Sequence, residues 1–505
     1  MDCIEIMEKN MSRQFNDQEI VKRKKLTALQ KDDKDPYEVE YVNRTLNIAE
    51  FKKKYAFLKN QEHANDVHTL AGRVMNLRQT FGVIKDFFGS LQIYLNKKNI
   101  DPTMFEYFQK YVDIGDIVYV VGSPFVTMKG ELSLNVCEIK IISKSLKVLP
   151  EKYHGLQDEE LRARHRYVDL IMNSTSMQTF ITRSKIIKYI RNYMDDQGFF
   201  EVETPVLHPI LGGANAKPFI THHNALKREY YLRIATELPL KKLIVGGFDK
   251  VYEIGRIFRN EGMDATHNPE FTSLEAYCAY SSMEDTMDLV ENVFHHVAKQ
   301  LNITEINIES TETRENIKIE IAKKFKRIHI LDFIKEVTGV DFNLIASNEE
   351  AISIAKEHKI PLENHQKNKG HIVNLFFEHF CEQKCIQPTF VWGHPIEVSP
   401  LAKKDIDKPG YTKRFELFIN TKEYANAFAE LNDPIDQYTR FEEQLKEKKM
   451  GNDEASEMDI DFIEALEYGM PPTGGLGIGI DRLVMLFTNN TTIRNVLLFP
   501  HMKDK

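Results

Sequence analysis

The sequence has few features of secreted or membrane proteins. It lacks any run of about 20 apolar residues, the length that a helix needs to cross a bilayer, and residues 1–25 hold no apolar stretch of signal-peptide length. Its five cysteines, an odd number, are scattered along the chain and suit a reducing compartment better than a disulfide framework. These absences favour a cytoplasmic enzyme.

A structural zinc site is also disfavoured. Cys381 and Cys385 occupy i and i+4 positions of a predicted helix, and no second pair follows to complete a tetrahedral set of ligands. We interpret both as ordinary helix positions, with a metal as the weaker alternative.

The chain has no excess of basic charge. Its 505 residues carry a formal net charge of -8, with 42% hydrophobic and 28% charged residues, which is typical of a folded rather than a disordered protein. A local basic face that binds nucleic acid remains compatible with this charge. The length predicts two or three domains.

Composition divides the chain into three parts: 1–60, 61–148 and 149–505. The first predicts an N-terminal helical extension and linker. Its basic cluster, residues 22–25, is either a solvated helix face, which we favour, or a contact to an RNA backbone. The third is mixed α and β, with a helical insertion expected at about 300–385.

The middle part predicts a small antiparallel β-barrel. Short alternating runs separated by glycines and polar turns fill residues 66–145, and a helix is expected at 96–113, as in a five-stranded OB-type barrel. Such barrels stack single-stranded bases on exposed aromatic rings. Phe81, Phe87 and Phe88 are candidates, although for any one of them a place in the core is the stronger expectation.

Two distant segments carry arginines suited to a nucleotide. Alternation over residues 253–261 predicts a strand that places Arg259 among buried neighbours, where a guanidinium requires a phosphate, a carboxylate or an internal glutamate partner. The next loop supplies His267, a potential phosphate donor, and Phe271, a flat surface for a purine.

The second segment, residues 474–482, reads GGLGIGIDR. It lacks the terminal Lys-Ser/Thr of a P-loop and the preceding strand of a dinucleotide fold. Alone it predicts only a closely packed strand that leads into a helix. Together with Arg259, its Arg482 indicates a second cation on ATP, and hence an enzyme that activates a carboxylate.

Glutamates form a third set. Glu416 and Glu423 flank a short turn and could share one Mg²⁺ that bridges phosphates. Glu237, Glu275 and Glu430 stand among apolar or small residues. Buried acids without basic partners are costly, so either a cationic substrate offsets this cost or some of the acids face solvent.

These segments resemble the motifs of class II lysyl-tRNA synthetases of the bacterial type, subclass IIb. The resemblance covers about residue 15 to Pro500 and includes, in order, FFEVETP at 199–205, FRNE with HNPEFT at 258–272, and GLGIGIDR at 475–482. Sequences typical of the lysine branch are also present: GGA at 212–214, PFITHHN at 218–224, EYANAF at 423–428 and ELNDP at 430–434.

The resemblance implies an α+β fold, with an antiparallel catalytic sheet, helices and an N-terminal OB-fold barrel that binds the anticodon. It implies a homodimer, joined at the first motif, that acts on ATP, L-lysine and tRNA(Lys) with Mg²⁺. The reaction would be formation of lysyl-adenylate with release of pyrophosphate, followed by transfer of lysine to the 3′ end of the tRNA.

The resemblance also implies roles for individual residues, with Arg259 and Arg482 as the catalytic pair. Arg259 would hold the α-phosphate and the lysine carboxylate, and Phe271 and Arg482 would enclose the adenine. The implied ATP-binding residues are Arg259, Glu261, His267, Asn268, Phe271, Glu416 and Arg482. The implied lysine-binding residues are Gly213, Glu237, Arg259, Glu275, Tyr277, Asn426 and Glu430. The implied metal ligands are Glu416 and Glu423, and the implied anticodon readers are Phe81, Gln92 and Arg78.

Two departures from the family pattern stand out, and the start of the chain is a separate point. Thr266 occupies a position where some members carry an arginine, so the γ-phosphate would depend more on His267, Arg482 and Mg²⁺. The hairpin at 76–82 is shorter than usual, which weakens the assignment of Arg78. Met11 precedes a stretch that resembles family N-termini, so residues 1–10 are read as an upstream extension.

Three rival functions are weighed against this one. An aspartyl or asparaginyl synthetase would need a cation facing the substrate side chain, where this chain offers Glu430. A paralogue that lysylates a protein would lack the barrel. A catalytically silent RNA-binding or signalling protein would not be expected to retain Arg259, Glu423 and Arg482.

Overall fold

The computed structural model describes residues 14–98, 100–150, 158–214, 216–309, 316–452 and 457–503. The chain forms two compact units, Met1–Gln157 and Asp158–Lys505. No helix in the described ranges is long and apolar enough to cross a membrane. The extension expected at residues 1–10 lies outside the described residues.

Two helices precede the barrel in the first unit. Helices α1 (Asp17–Lys31) and α2 (Ile48–Lys54) each begin after an asparagine, Asn16 and Asn47 respectively. Each asparagine accepts a hydrogen bond from the backbone of a glutamate three residues on, and that glutamate caps the asparagine backbone in return. Such capping boxes fix where each helix starts.

The basic cluster in α1 packs against the rest of its unit. Lys22 Nζ donates to the Ile114 carbonyl at 2.7 Å, and Arg23 Nη1 donates to the Leu146 carbonyl at 3.0 Å. Both side chains are buried. The expectation of a solvated face at these two positions is therefore wrong, because backbone carbonyls at the end of the barrel bind the two cations.

A closed five-stranded barrel with strand order β1-β2-β3-β5-β4 follows. A helix, α3 (Pro102–Tyr111), lies between the third and fourth strands as predicted. Alternate residues of each strand point inward, and apolar side chains from all five strands and from α2 and α3 form the core. The strands are β1 (His68–Leu77), β2 (Phe81–Lys85), β3 (Ser90–Tyr94), β4 (Ile117–Val126) and β5 (Leu132–Ser143).

An eight-stranded sheet organises the second unit, in the order β14-β15-β16-β17-β18-β11-β10-β6. The six central strands pair antiparallel, and the two outermost pairs are parallel. The predicted α+β fold class, an antiparallel sheet with helices plus a barrel, is confirmed. The strands are β6 (Phe200–Glu201), β10 (Lys250–Phe258), β11 (Glu270–Ala279), β14 (Lys326–His329), β15 (Thr389–Trp392), β16 (Arg414–Ile419), β17 (Lys422–Ala429) and β18 (Thr473–Gly479).

The segment between β6 and β10 forms a separate three-stranded sheet. Its strands are β7 (Leu207–His208), β8 (Ile220–His223) and β9 (Arg228–Leu232). The helices of the unit are α4 (Glu159–Arg164), α5 (Arg166–Met172), α6 (Ser174–Asp196), α7 (Glu237–Val245), α8 (Met283–Gln300), α9 (Ile330–Thr338), α10 (Asn348–Glu357), α11 (Lys369–Phe376), α12 (Pro434–Lys449), α13 (Ile460–Glu467) and α14 (Ile480–Phe487).

The two faces of the large sheet carry different kinds of side chain. On one face, Leu274, Ala427 and Ile478 pack with α6, α8 and α14 in the largest apolar core. Because successive side chains of a strand point to opposite faces, the intervening residues of β11, β17 and β18 point to the other face. That second face carries the polar side chains described below.

Two expectations about the second unit differ from the structure. Residues 199–207, predicted as one strand, form only the short strands β6 and β7, since Pro205 has no N–H to donate to a ladder. The range 300–385 contains α9 to α11 but also a hairpin, β12 (Ile306–Glu309) and β13 (Asn316–Ile319), and strand β14 of the large sheet. Cys381 ends a π-helical turn, Phe377–Cys381, and is buried with Cys385.

Candidate active site

A cavity of about 500 Å³ opens on the polar face of the large sheet. Glycines of β18 line part of it: a Cβ on Gly477 would find its nearest neighbours at 3.7 Å and 3.9 Å, which is ordinary van der Waals contact without a clash. All of the predicted ATP, lysine and metal residues line this one cavity: Gly213, Glu237, Arg259, Glu261, His267, Asn268, Phe271, Glu275, Tyr277, Glu416, Glu423, Asn426, Glu430 and Arg482.

The alternation predicted that Arg259 lies within the strand. In the structure it lies one residue beyond the end of β10. Its backbone N–H donates to the Pro269 carbonyl at 2.8 Å, which holds the loop closed. Its guanidinium carbon lies 5.2 Å from the centre of the Phe271 ring, and its Nε has no hydrogen-bond partner among the described residues. A half-buried guanidinium with a free donor beside a ring is suited to an anionic ligand.

The two arginine segments meet at His267. Arg482 Nη2 lies 3.2 Å from His267 Nε2, and Arg482 Nη1 donates to the Glu423 carbonyl at 2.7 Å. On its other side, His267 Nδ1 lies 2.8 Å from Asp264 Oδ2. Thr266 donates its hydroxyl proton to Asp264 Oδ1 at 3.0 Å. Asp264, which the sequence analysis missed, therefore orients His267.

Glu261 and Asn268 lie in the loop between β10 and β11. Glu261 is exposed and lines the cavity, whereas Asn268 is buried and donates through Nδ2 to the Glu270 carbonyl at 2.6 Å. Gly213, on the opposite wall, has a φ of 91°, and a Cβ there would lie 3.3 Å from Ala235 Cβ. A glycine is needed at that position because L side chains disfavour this backbone conformation.

Three glutamates, Glu237, Glu275 and Glu430, meet at one end of the cavity, and all are buried. Glu275 accepts the Thr236 N–H at 3.0 Å and the Tyr277 hydroxyl at 3.3 Å. Burial raises the pKa of Glu275 to about 7, and repulsion from Glu237 adds to the rise. Burial also raises the pKa of Glu430 well above its ordinary value, although a neighbouring cation opposes that rise.

That cation is Lys241, which the sequence analysis also missed. Its ammonium lies 2.5 Å from Glu237 Oε1 and forms an ion pair with Glu430 Oε2. Burial disfavours its charged form, but the attraction of the two glutamates prevails and raises the pKa of Lys241. Glu237 and Lys241 stand at i and i+4 of α7, and that spacing was the signal in the sequence.

The predicted metal ligands, Glu416 and Glu423, lie on adjacent antiparallel strands. Burial raises the pKa of Glu423 and repulsion from Glu416 raises it further, so a cation between the two carboxylates would relieve a real repulsion. Within the described ranges, no group of three His, Cys, Asp or Glu side chains could hold a metal alone. Two carboxylates completed by phosphate oxygens fit Mg²⁺, which takes few protein ligands.

Arg414 connects the metal ligands to the rest of the polar face. It donates through Nη2 to Glu416 Oε1 at 2.5 Å and through Nε to Asn426 Oδ1 at 3.1 Å. Its Nη1 binds the Val398 carbonyl at 2.5 Å. Asn426 and Glu416 are direct partners in the β16–β17 ladder, so a single arginine fixes both side chains.

The predicted anticodon residues lie on the first unit and form a separate candidate surface. Phe81 stacks on Tyr94 with ring centres 4.6 Å apart, and Gln92 Nε2 donates to Ser133 Oγ at 3.0 Å. Arg78 is exposed in the turn between β1 and β2. Phe81 is half-buried on the outer face of the barrel rather than in its core.

Phe87 and Phe88, the other aromatic candidates, do not belong to the core either. Both are exposed in the turn between β2 and β3, and their rings contact each other edge to face. The stronger expectation, a core position for any one of these phenylalanines, is wrong.

Comparison with known proteins finds a match for each of the two units. The family described as "tRNA synthetases class II (D, K and N)" matches residues 158–503, and an "OB-fold nucleic acid binding domain" matches residues 68–142. A lysine--tRNA ligase of Malacoplasma penetrans is 66% identical over 495 residues, which cover 98% of this chain and all of the relative. Lysine--tRNA ligases of Ureaplasma parvum and Streptococcus sanguinis are 57% and 55% identical, over 98% and 97% of this chain and 100% and 99% of theirs.

Proposed function

Because the chain belongs to the class II tRNA synthetases of the D, K and N group, we propose that it joins L-lysine to tRNA(Lys) at the expense of ATP. In the first step, the lysine carboxylate attacks the α-phosphorus of ATP in line, which releases pyrophosphate and leaves lysyl-adenylate. In the second step, the 3′-terminal ribose hydroxyl of the tRNA attacks the acyl carbon, and AMP leaves.

One observation carries the choice of lysine: three buried glutamates and a tyrosine hydroxyl end the same cavity that begins at Arg259. A zwitterion with a second ammonium group supplies an anion for Arg259 and two cations for the acids. Glu237 and the Gly213 backbone would take the α-ammonium, and Glu430 and Tyr277 would take the ε-ammonium. Glu275 and Asn426 would complete the wall, and a neutral side chain would leave Glu430 unpaired.

ATP would occupy the other end of the cavity. Phe271 would offer its ring to one face of the adenine, and Arg482, which lines the same cavity, would enclose it from the other side. His267 and Arg482 would then bind the γ-phosphate, with Glu261 and Asn268 placing the nucleotide. Arg259 would bridge the α-phosphate and the lysine carboxylate, so it touches both reacting groups.

Glu416 and Glu423 would hold Mg²⁺. When bound, the ion supplies positive charge to the phosphate oxygens of ATP. No described side chain is required as a general base, since a carboxylate is already a nucleophile. Positioning by Arg259 and neutralisation of charge by Arg482 would supply most of the acceleration. The proton of the ribose hydroxyl would leave to a phosphate oxygen of the adenylate.

We assign residues 61–148 to anticodon binding and residues 149–505 to catalysis. Phe81 and Gln92 would meet bases on the outer face of the barrel, where the Phe81–Tyr94 stack offers a platform. Arg78 would contact the same strand of RNA from the adjoining turn. A bound anticodon would select the tRNA whose 3′ end enters the catalytic cavity.

A homodimer is the proposed assembly, and it is supported by exposed apolar side chains that cluster in sequence around β6 to β9. Phe200, Ile220 and Leu226 are 65%, 58% and 57% exposed. Isolated exposed apolar residues are ordinary, but a group of them beside a two-residue edge strand is typical of an interface. The free cysteines of the described chain, such as buried Cys381 and Cys385, support a place in the cytoplasm.

Amino-acid-dependent exchange between ATP and labelled pyrophosphate tests this function. Each of the twenty amino acids is supplied in turn, and exchange is expected with lysine and Mg²⁺ present. Exchange with aspartate or asparagine in place of lysine would contradict the substrate assignment. Charging of tRNA(Lys) by the same preparation then tests the second step.

A further inference from the structure

Lys241 is fully buried beside the acidic end of the cavity, yet it does not line the cavity. Its ammonium is enclosed by the rings of Phe428 and Phe462, whose centres lie 5.4 Å and 5.8 Å away. Its polar contacts are the ion pairs with Glu237 and Glu430 described above. It therefore stands behind the two acids, where a ligand would not displace it.

The two oxygens of Glu430 face different neighbours. Oε2 pairs with Lys241, whereas Oε1 lies over Gly475, 1.9 Å from the position that a Cβ on that glycine would occupy. Oε1 has no hydrogen-bond partner among the described residues. Lys241 thus uses one oxygen of the carboxylate and leaves the other free on the cavity side.

The charged groups around Lys241 can be counted, and their net charge is negative. Strand β11 contributes Glu275 and Tyr277, the end of β17 contributes Glu430, and α7 contributes Glu237 and Lys241 itself. Glu253, the ladder partner of Glu275, is already neutralised by Arg233 at 2.6 Å. When all three carboxylates are ionised, they and the one internal ammonium leave two negative charges, which equals the number of ammonium groups on lysine.

We propose that Lys241 is a positioning residue: through its ion pair it favours the ionised form of Glu430 and holds Glu430 Oε1 toward the cavity, and its charge leaves the fully ionised acidic cluster with two negative charges for a substrate that carries two ammonium groups. This role rests on the proposed function, because it assumes lysine as the substrate. A buried acid that loses its cation takes up a proton more readily. A protonated Glu430 would no longer attract the ε-ammonium.

The test compares Lys241→Met, which removes the charge at similar length, with Lys241→Arg, which keeps it. The control is Lys242→Met on the same helix, because Lys242 is partly exposed and pairs with Asp461 at the surface. The KM for lysine and the KM for ATP are measured by pyrophosphate exchange from pH 6.5 to 8.5 in all four proteins, including the wild type.

Lys241→Met should raise the KM for lysine about tenfold or more at pH 7, while the KM for ATP stays near that of the control. The increase should be largest at pH 6.5 and shrink toward pH 8.5, because Glu430 of this variant ionises only at higher pH. Lys241→Arg should restore the pH dependence of the wild type even if its KM for lysine is somewhat higher.

Three results would overturn the role of Lys241. The first is a KM for lysine in Lys241→Met equal to that of Lys242→Met at every pH. The second is a uniform loss for lysine and ATP alike, and the third is an arginine variant that behaves like the methionine variant. If Lys241→Met cannot be obtained folded, the arginine variant decides: a pH profile like that of the wild type supports the role, and equal losses for lysine and ATP oppose it.

The wild type separates the two proposals. If it shows no lysine-dependent exchange, the proposed function falls and this role falls with it. If the wild type exchanges with lysine and Lys241→Met matches the control, only the role of Lys241 falls.

Discussion

Glu430 Oε1 lies directly over Gly475, at a point that any side chain on residue 475 would invade. An added Cβ would come within 1.9 Å of this oxygen and 2.6 Å of Tyr277 Cε1. Both atoms belong to groups that we assign to the ε-ammonium. The absence of a side chain at Gly475 therefore allows the Glu430 carboxylate to occupy this position.

We expect Gly475→Ala to raise the KM for lysine by about tenfold to a hundredfold, because a displacement of about 1 Å at a recognition group can cost that much. Gly477→Ala, whose methyl group would meet nothing closer than 3.7 Å, should lose less. Steady-state pyrophosphate exchange measures both. Equal losses in the two variants would argue that Glu430 is not fixed through Gly475.

Replacing Glu430 by glutamine should weaken the use of lysine on the order of a hundredfold, since the ε-ammonium would lose a buried charge partner. The KM for ATP should change far less, because Glu430 lies at the opposite end of the cavity from His267. An equal loss for both substrates, measured in the same exchange assay, would contradict the ammonium role.

The KM for lysine should depend on pH through Glu275, whose pKa burial raises to about 7. Only the carboxylate attracts an ammonium group, so below this pH the protonated form weakens binding, and above it binding is complete. We expect the KM at pH 6 to be about tenfold higher than at pH 8. Glu275→Gln should lose the inflection near pH 7, and a KM that is flat in the wild type would contradict the assignment.

Asp264→Asn should raise the KM for ATP about threefold to tenfold, because the hydrogen bond that orients His267 toward Arg482 would lose its charge. Thr266→Val is the control: it removes the hydroxyl that bonds Asp264 and lies 3.1 Å from His267 Nδ1, but it leaves the Asp264–His267 contact in place. The KM for lysine should change little in either variant. A threonine variant that loses as much as the asparagine variant would show that the loop, rather than Asp264, matters.

On the barrel, Phe81→Ala should raise the KM for tRNA in the charging reaction about tenfold, as expected for one lost base–ring stack. It should leave pyrophosphate exchange unchanged, because that step needs no tRNA. Phe88→Ala is the control, since Phe88 is equally aromatic but is exposed in the turn between β2 and β3, whereas Phe81 lies at the other end of β2. Equal effects of the two substitutions on charging would contradict a specific role for Phe81.

Much of this architecture could be predicted from local pattern, because the barrel strands alternate between buried and less buried residues over most of their length and the capping residues precede their helices. The acidic end of the cavity was also predictable: Glu275 and Tyr277 share one strand face, and their neighbours Leu274 and Ala276 are apolar. The position of Arg259 was harder to predict, because an alternating pattern does not show at which residue a strand ends. In the structure β10 ends at Phe258, one residue before Arg259.

The site residues that the sequence did not reveal are ones that contact and orient predicted site residues. Lys241, Asp264 and Arg414 each hold a predicted residue in place and carry no family-like pattern of their own. Two of these contacts are local in sequence: Lys241 pairs with Glu237 one helical turn away, and Asp264 contacts His267 three residues on. The contact of Lys241 with Glu430 joins distant segments and depends on the fold. The burial of Lys22 and Arg23 was unpredictable for the same reason, because the carbonyls that bind them come from distant loops.

The pairing of β11 with β18 also has a consequence for the order in which the site is assembled. Tyr277 faces Gly475 across these two strands, and Arg482 lies in the helix that follows β18, so part of the cavity lining comes from the C-terminal end of the second unit. Contacts between such distant segments form late, since the loop between them must close first. During synthesis on the ribosome, the lining of the cavity is therefore incomplete until β18 has emerged.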